Sequence, residues 1–284
     1  MTCTETAIRF PCENETLFGI LARPEQPSDI GVVVIVGGPQ TRVGSHRQFV
    51  LLSRALAAAG YPVLRFDVRG MGDSSGEQHT FEHITPDIKA AIDTLQTHCP
   101  SVRRIVLWGL CDAAAAALLY CDDTHDPRIA GLCLLNPWVR SEATLARTQV
   151  KHYYGQRLLQ KAFWAKLLSG RLNVARSLTE LLRKLGQASA KANAGQHLSF
   201  QDRMARGLKE FGGPVQLILS GDDYTAKEFL EYAAINAHWR DLLDRPELTR
   251  IDIAAADHTF SSAAWRDAVA AACQKWLAPH RESA

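Results

Sequence analysis

The sequence predicts an α/β fold: a mostly parallel sheet with helices on both faces and one long inserted segment. Three observations predict it. Continuous apolar runs such as Gly31-Val32-Val33-Val34-Ile35-Val36 and Arg104-Ile105-Val106-Leu107 have the composition of strands covered on both faces. These runs alternate with stretches of helical spacing, which implies right-handed βαβ units. Finally, Trp108-Gly109-Leu110-Cys111-Asp112-Ala113-Ala114 joins an apolar run directly to an alanine-rich stretch, a tight strand-to-helix turn.

The elements follow in order. Ala7-Ile8-Arg9-Phe10 and Thr16 to Leu21 flank Glu13-Asn14-Glu15 and suggest an antiparallel hairpin. The β-branched run from Gly31 to Val36 is a buried strand. Phe49 to Ala59 has apolar residues at helical spacing and stops at Gly60, a residue suited to end a helix. Tyr61 to Val68 returns as a strand, Pro86 to Thr97 as a helix and Arg104 to Leu110 as a strand. Ala113 to Tyr120 is helical because alanine and leucine cost least in a helix. Ile129 to Leu135 is the next strand, and the alternation breaks at Asn136-Pro137. A stretch of helical composition then intervenes, far longer than an ordinary connection. The alternation resumes with Val215 to Leu219 (strand), Lys227 to Ala237 (helix), Leu248 to Ile253 (strand) and Ala263 to Leu277 (helix). The expected organisation is a core of residues 1–138 and 211–284, interrupted by a helical lid over 139–210.

A chain of 284 residues with 46% hydrophobic content can fill a large α/β core. The start lacks a basic stretch followed by an apolar run, so no signal peptide is expected. No apolar run approaches the roughly 20 residues of a membrane helix. The seven cysteines form no C-x-x-C pair and no metal-ligand spacing. An odd count without a secretory signal fits reduced thiols and a cytoplasmic protein, with neither metal nor organic cofactor. The net charge of +2 hides an asymmetry: residues 139–209 hold 14 Lys/Arg against 3 acidic residues, whereas the remainder holds 18 against 27. So uneven a partition points to an anionic partner for the insertion, though a solvated basic helical face is the plainer reading. Nucleic acid is not expected, since no recognised motif accompanies the charge. Phe163 and Trp164 with their basic neighbours could touch a membrane surface.

Ligands of open α/β sheets bind beyond the carboxyl ends of the strands, so the residues just after each strand are the ones to weigh. Gly109-Leu110-Cys111-Asp112-Ala113 has the Gly-x-nucleophile-x-small form of a nucleophile elbow, with a thiol as the nucleophile. Ser220-Gly221-Asp222-Asp223 follows one later strand and Ala256-Asp257-His258 the last. Cys111, Asp223 and His258 thus occur in the order nucleophile, acid, histidine. His258 would serve as the base and its carboxylate partner would orient it. Asp223 is favoured as that partner because the acid sits two or three residues beyond such a glycine, and Asp222 remains open. An oxyanion hole needs backbone N–H groups aimed at the developing charge. Asp112 would supply one. The loop Gly37-Gly38-Pro39-Gln40 would supply the other, and Gln40 is the expected donor because Pro39 has no N–H. Arg42 and His46, beside that loop, could bind an anionic substrate group. Asp67-Val68-Arg69-Gly70-Met71-Gly72-Asp73-Ser74 reads as a structural loop in which Arg69 ties down its neighbours.

Together, Asp-x-Arg-Gly-x-Gly-x-Ser, the elbow, Gly-x-Asp and Asp-His resemble the α/β-hydrolase superfamily along nearly the whole chain. More narrowly, Gly37 to Arg47, Gly109 to Ala113 and Ser220 to Asp223 resemble the exosortase A system-associated hydrolase 1 family, found beside genes for exopolysaccharide production and protein sorting. The resemblance implies an α/β-hydrolase fold and an acyl or ester hydrolase, with no substrate carried over. Ala113 stands where many hydrolases have glycine, a departure that preserves the turn. The expected activity is hydrolysis of an ester or thioester, small or carrier-bound, through an S-acyl-cysteine. Transfer of the same acyl group to another nucleophile is the alternative, followed by a binding module without catalysis. The oligomeric state is not legible.

Overall fold

The computed structural model describes residues 3–140 and 198–280. Cys3–Cys12 (β1) and Glu15–Pro24 (β2) form the expected antiparallel hairpin, in which Glu15 pairs with Cys12. Six further strands follow: Ile30–Ile35 (β3), Val63–Asp67 (β4), Arg104–Leu110 (β5), Ile129–Leu135 (β6), Val215–Ser220 (β7) and Leu248–Ile253 (β8). They make one sheet in the order β1-β2-β4-β3-β5-β6-β7-β8. β2 runs antiparallel to β4, and every pairing from β4 to β8 is parallel.

The burial of each strand follows its place in the sheet. β3, β4 and β7 are buried at every residue, whereas the outer strands β1 and β8 are largely exposed or half-buried. A central parallel strand has helices on both faces, so alternation with polar residues is unnecessary there.

The helices are Gln48–Ala58 (α1), Thr85–His98 (α2), Asp112–Thr124 (α3), Phe200–Glu210 (α4), Tyr224–Ile235 (α5) and Ala263–Leu277 (α6). α1 and α6 cover one face: Leu52, Leu56, Val269 and Cys273 cluster with Val32, Val34, Val106, Trp108 and Cys133. Strand side chains alternate between faces. Gly31, offset by one from Val32, accordingly meets Leu95 of α2 on the other face. Each fully buried Val, Leu, Ile or Phe contributes roughly 1.5–3 kcal/mol of transfer free energy, and this drives the layering.

The chain order turns back at β3, whose neighbours are β4 and β5. Loops leaving the carboxyl ends of β3 and β5 therefore diverge, opening the crevice where such sheets bind ligands.

Most of the expected lid, including Phe163 and Trp164, lies outside the described residues. Of the expected lid over 139–210, Phe200–Glu210 forms a helix that groups with the core and packs on α3. Arg206 bonds both carboxylate oxygens of Asp122, at 2.5 and 2.8 Å. Arg203 bonds Asp122 at 3.2 Å and Asp123 at 2.5 Å. These cations, counted with the basic insertion, are neutralised by acidic residues of α3. Among the described residues no helix is long and apolar enough to cross a membrane. All seven cysteines are free thiols.

Candidate active site

Cys111 stands between the last residue of β5 and the first of α3, at φ 63° and ψ −123°. A side-chain-bearing residue held there costs of order 1–3 kcal/mol, which surrounding contacts must offset. Its N–H donates to Leu135 O at 2.8 Å. Its carbonyl accepts from Ala114 N at 3.1 Å and Trp138 N at 3.2 Å. Strand and helix cross so closely that a Cβ on Gly109 would lie 2.5 Å from the carbonyl carbon and oxygen of Ala113. Ala113 itself is fully buried. The small residues of the elbow are therefore steric requirements, and they leave Cys111 half-exposed at the carboxyl edge of the sheet.

His258 leaves the loop after β8, and its Nδ1 lies 2.8 Å from Asp223 Oδ2. Asp223 also caps α5, its carboxylate accepting from Thr225 N at 3.0 Å and Ala226 N at 3.2 Å. Burial raises the Asp223 carboxyl, but the bond to His258, its charge and the two N–H groups outweigh that and hold it below its ordinary value. The hydrogen bonds to Asp223 and then to Cys111 push His258 up to about 10, against its burial. Nδ1 is directed to Asp223, which leaves Nε2 as the ring nitrogen for proton transfer. Of the two adjacent carboxylates, the structure puts Asp223 on the histidine. Asp222 is exposed, and its N–H donates to Ala256 O at 3.0 Å.

Two supports of this arrangement escaped the sequence reading. Asn136, fully buried at φ 43° just after β6, cross-links three segments. Its Nδ2 donates to Ser220 Oγ at 2.9 Å and to His258 O at 3.1 Å, and its Oδ1 accepts from Ser220 N at 2.9 Å. Ser220 Oγ in turn donates to Asp257 O at 2.8 Å. The Asp257 carboxylate accepts from Thr259 N at 3.1 Å and Ser261 N at 3.0 Å, closing the turn around His258. The break at Asn136-Pro137 was the available signal; positive φ tolerated by asparagine and a fixed amide fit it.

The loop after β3 departs from expectation. The N–H that meets the elbow is that of Gly38, which donates to Asp112 Oδ2 at 2.8 Å. The side chain of Gln40, whose main-chain N–H is the expected donor, braces its own loop, its Oε1 accepting from Ser45 N at 3.2 Å and Gln48 Nε2 at 3.4 Å. Arg42, an expected substrate contact, is held by carboxylates. Its guanidinium is paired with Asp67 and Asp73, and its N–H donates to Asp67 Oδ1 at 2.6 Å. Asp67 is fully buried, and Arg42 serves as its counter-charge. His46 is exposed, on the loop that follows β3. Arg69 ties its loop down as expected: its N–H and Nε bond Asp87 at 2.8 and 3.0 Å, and it pairs with Glu13. Among the described residues no cluster of His, Cys, Asp and Glu could hold a metal ion.

The chain is similar in fold to an esterase of Pyrococcus furiosus, Pf2001, at 18% identity and a TM-score of 0.65, covering 98% of this chain and 93% of that one. It is similar to a dienelactone hydrolase from Anabaena variabilis at 15% identity and 0.59, covering 98% and 99%. Est1E from Butyrivibrio proteoclasticus, solved with ferulic acid, is similar at 16% identity and 0.61, covering 96% and 100%. At such identities the likeness speaks for the fold. No curated protein matches the chain. The model of one family, Hydrolase_4, described as serine aminopeptidase, S33, matches residues 27–228, a span that includes the elbow and Asp223. The chain therefore belongs to the Hydrolase_4 family of α/β-hydrolases, and carries cysteine at the elbow of a serine-based family.

Proposed function

We propose that this α/β-hydrolase cleaves esters or thioesters through Cys111, with His258 as proton carrier, Asp223 as its partner and an S-acyl-cysteine intermediate. The observation that carries the reading is the pair at the sheet edge beside the strained elbow: Asp223 Oδ2 lies 2.8 Å from His258 Nδ1, and Cys111 is among the groups that raise the proton affinity of His258. The sulfur attacks the carbonyl carbon, a C–S bond forms, and the oxygen takes up negative charge. The N–H groups at the start of α3 and in the loop after β3 are suited to hold that oxygen. The bond to the leaving group then breaks, and the leaving group takes the proton from His258 Nε2. Water attacks the thioester carbonyl and gives a proton to His258; the C–S bond then breaks, the acid is released, and sulfur and ring return to their starting protonation. Asp223 keeps the ring oriented throughout and stabilises it whenever it carries the second proton.

The resemblance of the loop after β3, the elbow and Ser220 to Asp223 to exosortase-associated hydrolases extends the proposal to exopolysaccharide production. A small or carrier-bound acyl donor remains the expected substrate class. Intact-protein mass spectrometry tests the reading, with ester and acyl-thioester panels mixed with wild type, Cys111→Ala and His258→Ala. An acyl mass on wild type that vanishes in Cys111→Ala is expected, with rapid loss of the adduct in water. An adduct that persists and passes to an added amine or alcohol would make the protein an acyltransferase. Turnover surviving in Cys111→Ala would overturn the cysteine mechanism.

A further inference from the structure

The Asp112 side chain has no part in the relay, yet it occupies the ground where the oxyanion would sit. Its backbone begins α3 beside Cys111, and its Oδ2 accepts the Gly38 N–H at 2.8 Å. The N–H groups of Ala113 and of Asp112 itself also act on the carboxylate. These are the donors a tetrahedral intermediate would need: the first turn of α3 from one side and the loop after β3 from the other. Its Oδ1 is closed off from solvent and has no hydrogen-bond partner among the described residues. That oxygen lies against the Gly37 backbone, where a Cβ would be 2.0 Å away, so the loop admits the carboxyl only because residue 37 is glycine. Burial raises the Asp112 carboxyl above its ordinary value, the mark of a carboxylate less well solvated than in water.

We propose that the Asp112 carboxylate is an internal occupant of the oxyanion hole, which the substrate carbonyl must displace before Cys111 can acylate. The inference rests on the hydrolase reading above. The free enzyme keeps the Gly38 N–H satisfied by its own side chain, with one carboxylate oxygen left unpaired. The bond is of ordinary length, and the unpaired second oxygen lowers the cost of exchanging it for a substrate oxyanion. Asp112 is a positioning residue in this account: its main chain donates to the oxyanion, and its side chain competes with it.

The test uses butanal, which adds to Cys111 as a hemithioacetal and puts its oxygen where the oxyanion forms, alongside turnover of p-nitrophenyl butanoate. Asp112→Ala empties the hole and leaves Gly38 N–H free. The butanal inhibition constant should fall and kcat rise at least about tenfold, the lower end of what a charge-assisted hydrogen bond is worth. KM should stay within about twofold, since the ground-state carbonyl gains little. Asp112→Asn keeps an oxygen on Gly38 N–H without the charge and should fall between the two. It also serves if the alanine variant does not fold. A side chain that merely braces the loop would give the reverse: lower kcat in Asp112→Ala, with butanal affinity unchanged or weaker, and the proposal would be overturned. If wild type and both variants neither bind butanal nor turn over any ester, and Cys111→Ala behaves identically, the hydrolase reading and the cap fall together. Equal butanal binding in wild type and variants, lost in Cys111→Ala, removes the cap alone.

Discussion

Replacing Asp223 with asparagine separates the two tasks of this carboxylate. In one, Oδ2 accepts from His258 Nδ1 at 2.8 Å; in the other, the carboxylate caps α5 through Thr225 N and Ala226 N. An amide oxygen still caps a helix well, so Asp223→Asn should cost little on that account, whereas Asp223→Ala adds a lost cap of about 1 kcal/mol. The histidine loses its anionic partner in both. A charge-assisted hydrogen bond is worth ~1.5–3 kcal/mol, so the proton affinity of His258 should fall by a factor of roughly 10–100 from its elevated starting point of about 10. Nitrogen-detected NMR of the imidazole across a pH titration measures this directly, and urea unfolding of both variants measures the cap. The linkage has a definite sign. The raised histidine contributes stability that is whole below its ordinary 6.5 and is lost as pH rises toward about 10. The lowered Asp223 contributes stability that is whole above its ordinary 3.8 and is lost as pH falls through its folded value. Wild type should therefore lose stability on the alkaline side between 6.5 and about 10, and Asp223→Asn should lose less over that range. An unchanged His258 titration in Asp223→Asn would refute the claim that this carboxylate sets the charge of the relay.

Other perturbations follow from the same geometry. Arg42→Ala leaves the fully buried Asp67 without its counter-charge and should destabilise by about 3–5 kcal/mol in urea unfolding, with KM for uncharged esters little changed. A substrate-binding Arg42 would instead raise KM without that loss of stability. Asn136→Ala removes bonds to Ser220 and His258 O and leaves Ser220 N unpaired, costing about 1–3 kcal/mol in chemical denaturation. It should lower kcat more than it raises KM, because it loosens the loop that carries the histidine. Gly109→Ala drives a Cβ to 2.5 Å from the Ala113 backbone, so it should lower the melting temperature by displacing α3 from β5, at a cost of at least ~1–3 kcal/mol. Faster iodoacetamide labelling of Cys111 would accompany that displacement.

Legibility varied with the range of the cause. The strands β3, β5 and β7 were plain because a strand covered on both faces must be apolar throughout, whatever its neighbours. The helix after Cys111 was underestimated: it runs to Thr124, since the acidic residues Asp122 and Asp123 are held by Arg203 and Arg206 across the interface. The same pairing hid α4, whose cations looked like part of a free basic segment. Arg42 read as a substrate ligand for a similar reason, as its partners Asp67 and Asp73 lie far along the chain. Cys111, Asp223 and His258 were legible because each follows a strand directly, so position in the sequence stands for position at the sheet edge. The choice between Asp222 and Asp223 was less so, because adjacent side chains leave the backbone in different directions and only packing decides which one meets the ring.

The sequence by itself determined the layered sheet, the strained elbow and the residue types gathered at its carboxyl edge, because hydrophobic periodicity and backbone sterics act over a few residues. Only the tertiary structure decided which charges are spent on one another and which remain for chemistry. Arg42 is neutralised by Asp67, Asn136 fastens three segments at once, and the Asp112 carboxylate sits on the Gly38 N–H. Each of these depends on a partner dozens of residues away, brought near by the packing of the sheet and its helices.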